Sequence, residues 1–246
     1  MKKEYWYVIM VYIAMQLSGI IGAPLFKYIG LAMGASENTI NIYATAYWSI
    51  FSFIVALIIT LILMRKDFGS ASWIRNEPPA PVGMSILWAI AGIFLAFFAQ
   101  TIAANIERLI GIEVGSENTQ TLVNVISSVP SFAIITSIVG PILEELIFRK
   151  IIFGSLYKKM NFILAALISS IIFGLAHLEF EHIILYTAMG FTFAFLYVKT
   201  KRIIVPIFAH VMMNTTVVIV QLMFQDQIED MMKQVEQVQS FIGGLL

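Results

Sequence analysis

The 246-residue chain lacks cysteine altogether and contains few charged residues. Without cysteine it can form no disulfide, no iron–sulfur cluster and no zinc site with thiolate ligands. Charged residues make up 12% of the chain, against about 25% in soluble domains. The sequence also has no basic patch and no basic segment interleaved with aromatic residues, which are the features typical of nucleic-acid binding. The composition therefore argues against a soluble protein and against a nucleic-acid partner.

Long apolar stretches take the place of charge. Hydrophobic residues form 59% of the chain, and its mean hydropathy is +0.88. A helix needs about 20 apolar residues to cross a bilayer. The stretches that approach or exceed this length are residues 5–30, 43–64, 82–105, 131–156, 162–178, 183–198 and 204–224. We therefore predict an all-α fold, a polytopic transmembrane helical bundle of about seven spans. It forms a single integral-membrane domain over residues 1–246, with the lipid bilayer around it.

Two further segments are amphipathic. Residues 119–129 precede the fourth apolar stretch and are separated from it by Pro130, so we predict a short half-helix or interfacial helix there. In the tail, residues 225–246, apolar side chains recur at helical spacing. They are Ile228, Met231, Val235, Val238 and Ile242. This spacing predicts an amphipathic helix that lies on the membrane surface.

Basic and acidic residues alternate from one predicted loop to the next. The loops of one side contain most of the Lys and Arg residues, among them Lys2, Lys66 and Lys158. The loops of the other side are mainly acidic, and we place Glu107 and Glu179 in them. The positive-inside rule puts the basic side in the cytoplasm. We therefore predict a multi-pass protein of the cell membrane, in a bacterium the plasma membrane, with its N-terminus in the cytoplasm.

Two adjacent glutamates lie within the fourth apolar stretch. A charged side chain at bilayer depth costs about 2.5–3.5 kcal/mol, so Glu144, Glu145 and Arg149 mark a candidate functional site. In an α-helix Glu145 and Arg149 share one face at ion-pair spacing, while Glu144 points about 100° away. We predict that Arg149 neutralises Glu145. Glu144 is then left as a carboxylate that can act as a base or an acid.

Two later apolar stretches contain histidines. Phe173 and His177 share a face of the fifth stretch, and His210 and Asn214 share a face of the seventh. His210 and Asn214 can both donate hydrogen bonds, which the stabilisation of an oxyanion requires. Counted from the flanking basic loops at about 1.5 Å per residue, Glu144 and the later polar residues come to a similar depth. We therefore expect the three clusters to line one cavity between three helices.

The three clusters together resemble the motif set of a known family. The similarity consists of Glu144-Glu145-x-x-x-Arg149, then Phe173-x-x-x-His177, then His210-x-x-x-Asn214, in this order on successive apolar segments. This set is similar to that of the CAAX protease and bacteriocin-processing (CPBP) family of intramembrane glutamic endopeptidases. The resemblance covers residues 119–224, and the N-terminal half resembles YdiL-like bacterial membrane peptidases.

The resemblance implies an enzyme, an intramembrane endopeptidase without a cofactor. The family's catalytic positions fall on Glu144, His177, His210 and Asn214, and its supporting positions fall on Glu145, Arg149 and Phe173. In this family the first glutamate and the histidine of the second motif activate a water, and the third motif forms the oxyanion hole. The expected substrate is a membrane-embedded peptide or protein, and in a bacterium a small membrane-associated peptide.

Three alternatives remain open at this point. A metal-dependent membrane protease could use Glu144, His177 and His210 as ligands of Zn²⁺ with an open position for water, although no His-Glu-x-x-His helix occurs. A proton-coupled transporter belongs to a different class, because intramembrane Glu, Arg and His also form proton relays. In a non-catalytic immunity protein the same clusters would only hold the bundle together.

Overall fold

The computed structural model describes residues 1–69, 78–113, 115–224 and 227. Within these ranges the chain forms eight helices and no strand, which confirms the predicted all-α bundle. The helices are α1 (Lys3–Ala32), α2 (Glu37–Gly69), α3 (Val82–Leu109), α4 (Glu117–Ser128), α5 (residues 132–157), α6 (Phe162–Ala176), α7 (Ile183–Thr200) and α8 (Ile204–Met223). Nearly all of the tail, where an amphipathic helix is predicted, lies outside the described residues.

The helices are those of a multi-pass membrane protein. The ones long and apolar enough to cross a membrane cover Lys3–Ala32, Thr39–Phe68, Val82–Leu109, Phe180–Thr200 and Ile204–Met223. Helix α6 is apolar as well but has only 15 residues. Helix α4 has 12 residues, a length of about 18 Å. This is shorter than the hydrocarbon core of about 30 Å, in agreement with the predicted half-helix.

Side-chain caps define where two of the helices begin. The Ser116 hydroxyl accepts the Thr119 N–H at the start of α4 (3.0 Å), and the Asn161 side chain accepts the Leu164 N–H at the start of α6 (2.9 Å). Each cap satisfies an N–H group that has no partner within the helix. Pro130 lies between α4 and α5, and because proline disfavours a helical residue before it, the two helices remain separate.

Helix α5 departs from the regular α-helix that the sequence predicts. It contains two wider π-helical stretches, Ile135–Val139 and Glu145–Phe153, on either side of the α-helical turn Gly140–Glu144. Pro141 has no N–H to donate, and its ring would collide with the preceding turn of an α-helix. This accounts for the wider stretch before it. Such π-helical turns are rare and often occur at functional sites.

Helix α5 is the centre of the bundle. Its side chains Leu143, Leu146, Ile147 and Ile151 are almost completely buried. It contacts the α1–α2 pair on one side and α6, α7 and α8 on the other, while α3 packs against α7 and α8. The charged residues of α5 therefore face other helices and not the lipid.

The pairing of α1 with α2 depends on a glycine. A Cβ atom at Gly22 would lie 1.8 Å from the Trp48 indole. The indole is held in this position because its Nε1–H donates to the Ser18 hydroxyl (3.0 Å). Small residues that let helices approach closely are typical of membrane helix pairs. Nothing lies within 4 Å of a Cβ atom at Gly19, one turn earlier.

We expect Gly22→Ala to destabilise the protein by about 1–3 kcal/mol, because the added methyl group forces α1 and Trp48 apart. Gly19→Ala is the matched control. It should stabilise the protein by up to about 1 kcal/mol, because alanine favours a helix more than glycine does. Thermal unfolding of both variants in detergent measures the difference. Equal melting temperatures for the two variants would contradict the predicted packing.

Candidate active site

The predicted catalytic residues line one cavity. It has a volume of about 1090 Å³ and is lined by residues of all eight helices. Glu144, His177, His210 and Asn214 are all on its wall, whereas Glu145, Arg149 and Phe173 are not. The structure thus brings the three sequence clusters together, with the four residues of the predicted catalytic set facing the cavity and the supporting set behind its wall.

His210 lies between the two glutamates. Its Nδ1 is 3.0 Å from Glu145 Oε1, and its Nε2 is 3.7 Å from Glu144 Oε2. Since an ionised carboxylate can only accept a hydrogen bond, Nδ1 carries a proton and donates it towards Glu145. The two carboxyl groups differ in access: the Glu144 side chain is 18% exposed and the Glu145 side chain 0%. Only Glu144 can therefore meet a water or a substrate in the cavity.

Glu145 and Arg149 form a completely buried ion pair. Arg149 Nε is 3.3 Å from Glu145 Oε2, and both side chains are 0% exposed. The contact is too poorly aligned for a hydrogen bond, and the other two guanidinium nitrogens have no hydrogen-bond partner among the described residues. Burial of such a charge is costly unless other groups compensate it.

Aromatic rings provide that compensation. The Arg149 guanidinium carbon lies 4.3 Å from the centre of the Phe173 ring, 5.5 Å from that of Phe193 and 6.0 Å from that of Phe148. A guanidinium over an aromatic face gains about 2 kcal/mol or more when both are desolvated. Phe173 is thus the platform on which the buried cation rests, and this gives the predicted supporting residue a physical role.

Phe173 also orients His177. The Nδ1–H of His177 donates to the Phe173 carbonyl (2.8 Å), and a carbonyl can only accept. The neutral imidazole therefore has its lone pair on Nε2, the nitrogen left available for a proton in the cavity. The Glu144 carboxylate and the His177 imidazole line the same cavity. Glu144 and His177 can therefore serve the same water.

Asn214 is held by the wide turn of α5. Its Nδ2 donates to the Thr136 carbonyl (3.2 Å), which belongs to the first π-helical stretch. An amide group has two N–H donors, so this bond leaves one of them for the cavity. Asn214 and His210 are one turn apart on α8, as their spacing in the sequence predicts.

The chain is similar to proteins of a known family. Residues 126–216 match the family described as type II CAAX prenyl endopeptidase Rce1-like. The chain is 51% identical over 247 aligned residues to YdiL of Bacillus subtilis, which carries the name of a membrane peptidase, with 100% of this chain and 99% of YdiL covered. The chain belongs to this Rce1-like family.

A second relative extends the assignment. The membrane-embedded CAAX protease MroQ of Staphylococcus aureus is 36% identical over 187 residues, which cover 73% of this chain and 75% of MroQ. No solved structure matches the chain significantly. As a member of the Rce1-like family the chain is a membrane peptidase. This classification argues against the two alternatives of another class, the transporter and the immunity protein.

A second polar cluster of this Rce1-like protein was missed from the sequence. Helix α3 extends to Leu109, so Glu107 lies in its last turn and is buried, not in the following loop. Its carboxylate lies 2.9 Å from His182 Nδ1 and accepts the Leu185 N–H (2.9 Å), which caps the start of α7. In the sequence, Glu107 is a single glutamate just beyond an apolar stretch. Its partners His182 and Leu185 are 75 and 78 residues away, so no local pattern connects them.

We expect Glu145→Ala and Arg149→Ala each to destabilise the protein by about 3–5 kcal/mol, because each leaves an uncompensated buried charge. The double variant should lose less than the sum of the two single losses. Thermal unfolding in detergent measures all three variants, with the exposed Glu37→Ala as a control that should change little. Simple addition of the two single losses would show that the pair is not coupled.

Proposed function

We propose that this membrane peptidase hydrolyses peptide bonds by a water that Glu144 and His177 activate, without a covalent intermediate. The observation that carries the proposal is the shared cavity. Glu144, His177, His210 and Asn214 line it, while Glu145 and Arg149 are sealed behind its wall. One carboxylate with access to the cavity, and on the same wall a histidine whose Nδ1–H is already engaged, supply the groups that general acid–base catalysis needs.

The reaction consumes one water. Glu144 takes a proton from the water, His177 Nε2 orients it, and the oxygen forms a bond to the carbonyl carbon of the peptide. The resulting tetrahedral intermediate breaks its C–N bond as Glu144 returns the proton to the leaving amine. General acid–base catalysis of this kind contributes about 10²–10⁴ in rate.

His210 and Asn214 are the proposed oxyanion donors. Asn214 can donate as it stands, whereas His210 can do so in only one protonation state. Asn214 has one amide N–H left after its bond to Thr136. His210 already donates Nδ1–H to Glu145, so its Nε2 can donate to an oxyanion only when the ring is doubly protonated. Each donor of this type is worth about 10²–10³ in rate.

The proposed substrates are small membrane-associated peptides or proteins. The matched family is described as a prenyl endopeptidase, and MroQ is named as a CAAX protease. The cavity, at about 1090 Å³, is as large as the biggest ligand pockets of about 300–1,000 Å³, so a peptide segment fits. Its wall includes the side chains Phe53, Phe97 and Met213, which suit an apolar segment. We place the enzyme in a bacterial plasma membrane with its N-terminus in the cytoplasm.

We propose a mechanism without a catalytic metal. No group of three His, Asp or Glu side chains in the described part of the chain converges closely enough to hold an ion. We therefore derive no step through a metal and propose direct activation of the water by the two side chains.

We expect Glu144→Gln to abolish cleavage, because the amide keeps the shape of the side chain but cannot take a proton. The assay compares peptides from membranes that contain the wild-type enzyme or the variant, and the peptide that accumulates then serves as a purified substrate. Glu37→Gln, an exposed glutamate at the start of α2, is the control and should remain active. A Glu144→Gln enzyme that folds and keeps more than a few per cent of the rate would exclude Glu144 as the base.

We also expect the enzyme to work without a bound metal ion. Activity of the purified enzyme should survive exhaustive chelation, and elemental analysis should find no stoichiometric ion. His210→Ala should lower kcat by about 10²–10³, the loss of one oxyanion donor. Loss of activity on chelation, its recovery with Zn²⁺, and loss of bound metal in His210→Ala would together replace this mechanism with a metal-dependent one. The membrane-peptidase assignment would stand in either case.

A further inference from the structure

His177 lies at a position that a helix alone does not hold rigidly. It is the residue that follows the last residue of α6, and the chain leaves the helix there. One edge of its imidazole is fixed by the bond from Nδ1–H to the Phe173 carbonyl. A single hydrogen bond still allows the ring to pivot, so the direction of Nε2 depends on what supports the face of the ring.

The Tyr186 ring covers that face. The ring centres of Tyr186 and His177 are 4.0 Å apart, and the two planes are inclined by only 23°. Tyr186 belongs to α7, is buried and lines the cavity. Its hydroxyl donates to Glu179 Oε2 at 2.6 Å, a short distance that is typical of a bond to an ionised carboxylate. Tyr186 is therefore held at both ends, by its helix and by Glu179.

Glu179 is itself anchored to the start of α4. Its Oε2 also accepts the Ser116 hydroxyl proton (2.9 Å), and its Oε1 accepts the Asn118 N–H (3.3 Å). Burial by itself would raise the pKa of the Glu179 carboxyl. The hydrogen bonds from Tyr186 and Ser116 outweigh it and hold the pKa below its ordinary value. The carboxylate therefore stays ionised, in the form that accepts all three bonds.

The residue between His177 and Glu179 has an unfavourable backbone conformation, which brings Glu179 to Tyr186. Leu178 has a φ of +58°, in the left-handed region that residues with a side chain avoid. Its side chain is 76% exposed, so no burial of its own compensates this conformation. The left-handed residue turns the chain back at the end of α6. Glu179 thereby meets Tyr186, only two residues after the histidine that Tyr186 supports.

We propose that Tyr186 and Glu179 are positioning residues of the peptidase, which fix the plane of the His177 imidazole and so aim its Nε2 at the water. This inference rests on the proposed function of Glu144 and His177. Phe173 sets which nitrogen of His177 carries the proton, and Tyr186 sets where the other one points. Ordinary packing would need only the tyrosine ring, whereas this arrangement also needs the hydroxyl and the carboxylate that hold the ring in place.

The central experiment compares Tyr186→Phe with Tyr197→Phe. Tyr197 is a buried tyrosine of the same helix that does not line the cavity, so it is a matched control for the loss of a hydroxyl. Tyr186→Phe should lower kcat about tenfold, which corresponds to a rise of about 1.4 kcal/mol in the activation barrier. The KM should stay unchanged, and the melting temperature should fall slightly, because the variant loses one hydrogen bond to a charged group. Tyr197→Phe should leave kcat unchanged.

Four further variants separate positioning from packing. Tyr186→Leu removes the ring as well and should lower kcat by about 10². Glu179→Gln keeps an acceptor for the Tyr186 hydroxyl and should retain more activity than Glu179→Ala. If the two residues act as one device, the double variant Tyr186→Phe with Glu179→Ala should lose no more than Glu179→Ala alone.

The outcomes are distinguishable from those of the proposed function. A kcat for Tyr186→Phe within twofold of the wild type would overturn the inference, provided that Glu144→Gln is inactive in the same assay. A higher KM at unchanged kcat would also overturn it, because it would make Tyr186 a substrate contact. So would a loss of activity that disappears when the rate is expressed per folded molecule, because the variant would then only be less stable. An active Glu144→Gln enzyme would instead remove the proposed function on which the inference rests.

Discussion

The buried ion pair of Glu145 and Arg149 is the constraint on which the site depends. Two charges without access to water persist only if the groups around them are arranged to compensate both. His210 provides its Nδ1–H to the carboxylate, and Phe173 provides its ring face to the guanidinium. Helices α6 and α8 are thereby fixed against α5 by polar and cation–π contacts, which in a membrane specify a single packing more narrowly than apolar contacts do. Among these residues, only His210 reaches the wall of the cavity.

The same constraint separates the roles of the two adjacent glutamates. Both belong to α5 and both lie near His210, but Glu145 is closed in by Arg149 and Glu144 has access to the cavity. A carboxylate that must stabilise the fold and a carboxylate that must exchange protons with water need opposite environments. Consecutive positions on a helix point in different directions, so a pair of neighbours is an economical way to obtain both.

Much of this arrangement could be predicted from the sequence because it is local. The ion pair and the pairing of His210 with Asn214 follow from four-residue spacing, and the common cavity follows from similar depth on apolar helices. Contacts between distant parts of the chain could not be predicted in this way. Glu107 meets His182 across 75 residues, and nothing in the pattern of either segment indicates the other. The π-helical turns of α5 were also missed, since hydrophobic periodicity does not distinguish them from α-helical turns over so few residues.

Phe173 contacts several of the charged and polar groups of the site although it is not ionisable itself. Its carbonyl receives the Nδ1–H of His177, its ring face carries the Arg149 guanidinium, and its ring edge lies against both imidazoles. Leucine would keep the carbonyl and much of the volume but would leave the cation of Arg149 without its platform. The aromatic position in the second motif is therefore tied to the arginine of the first. The compensation of the buried cation and the packing of both imidazoles consequently depend on one aromatic side chain, which links the stability of the bundle to the geometry of the proposed catalytic groups.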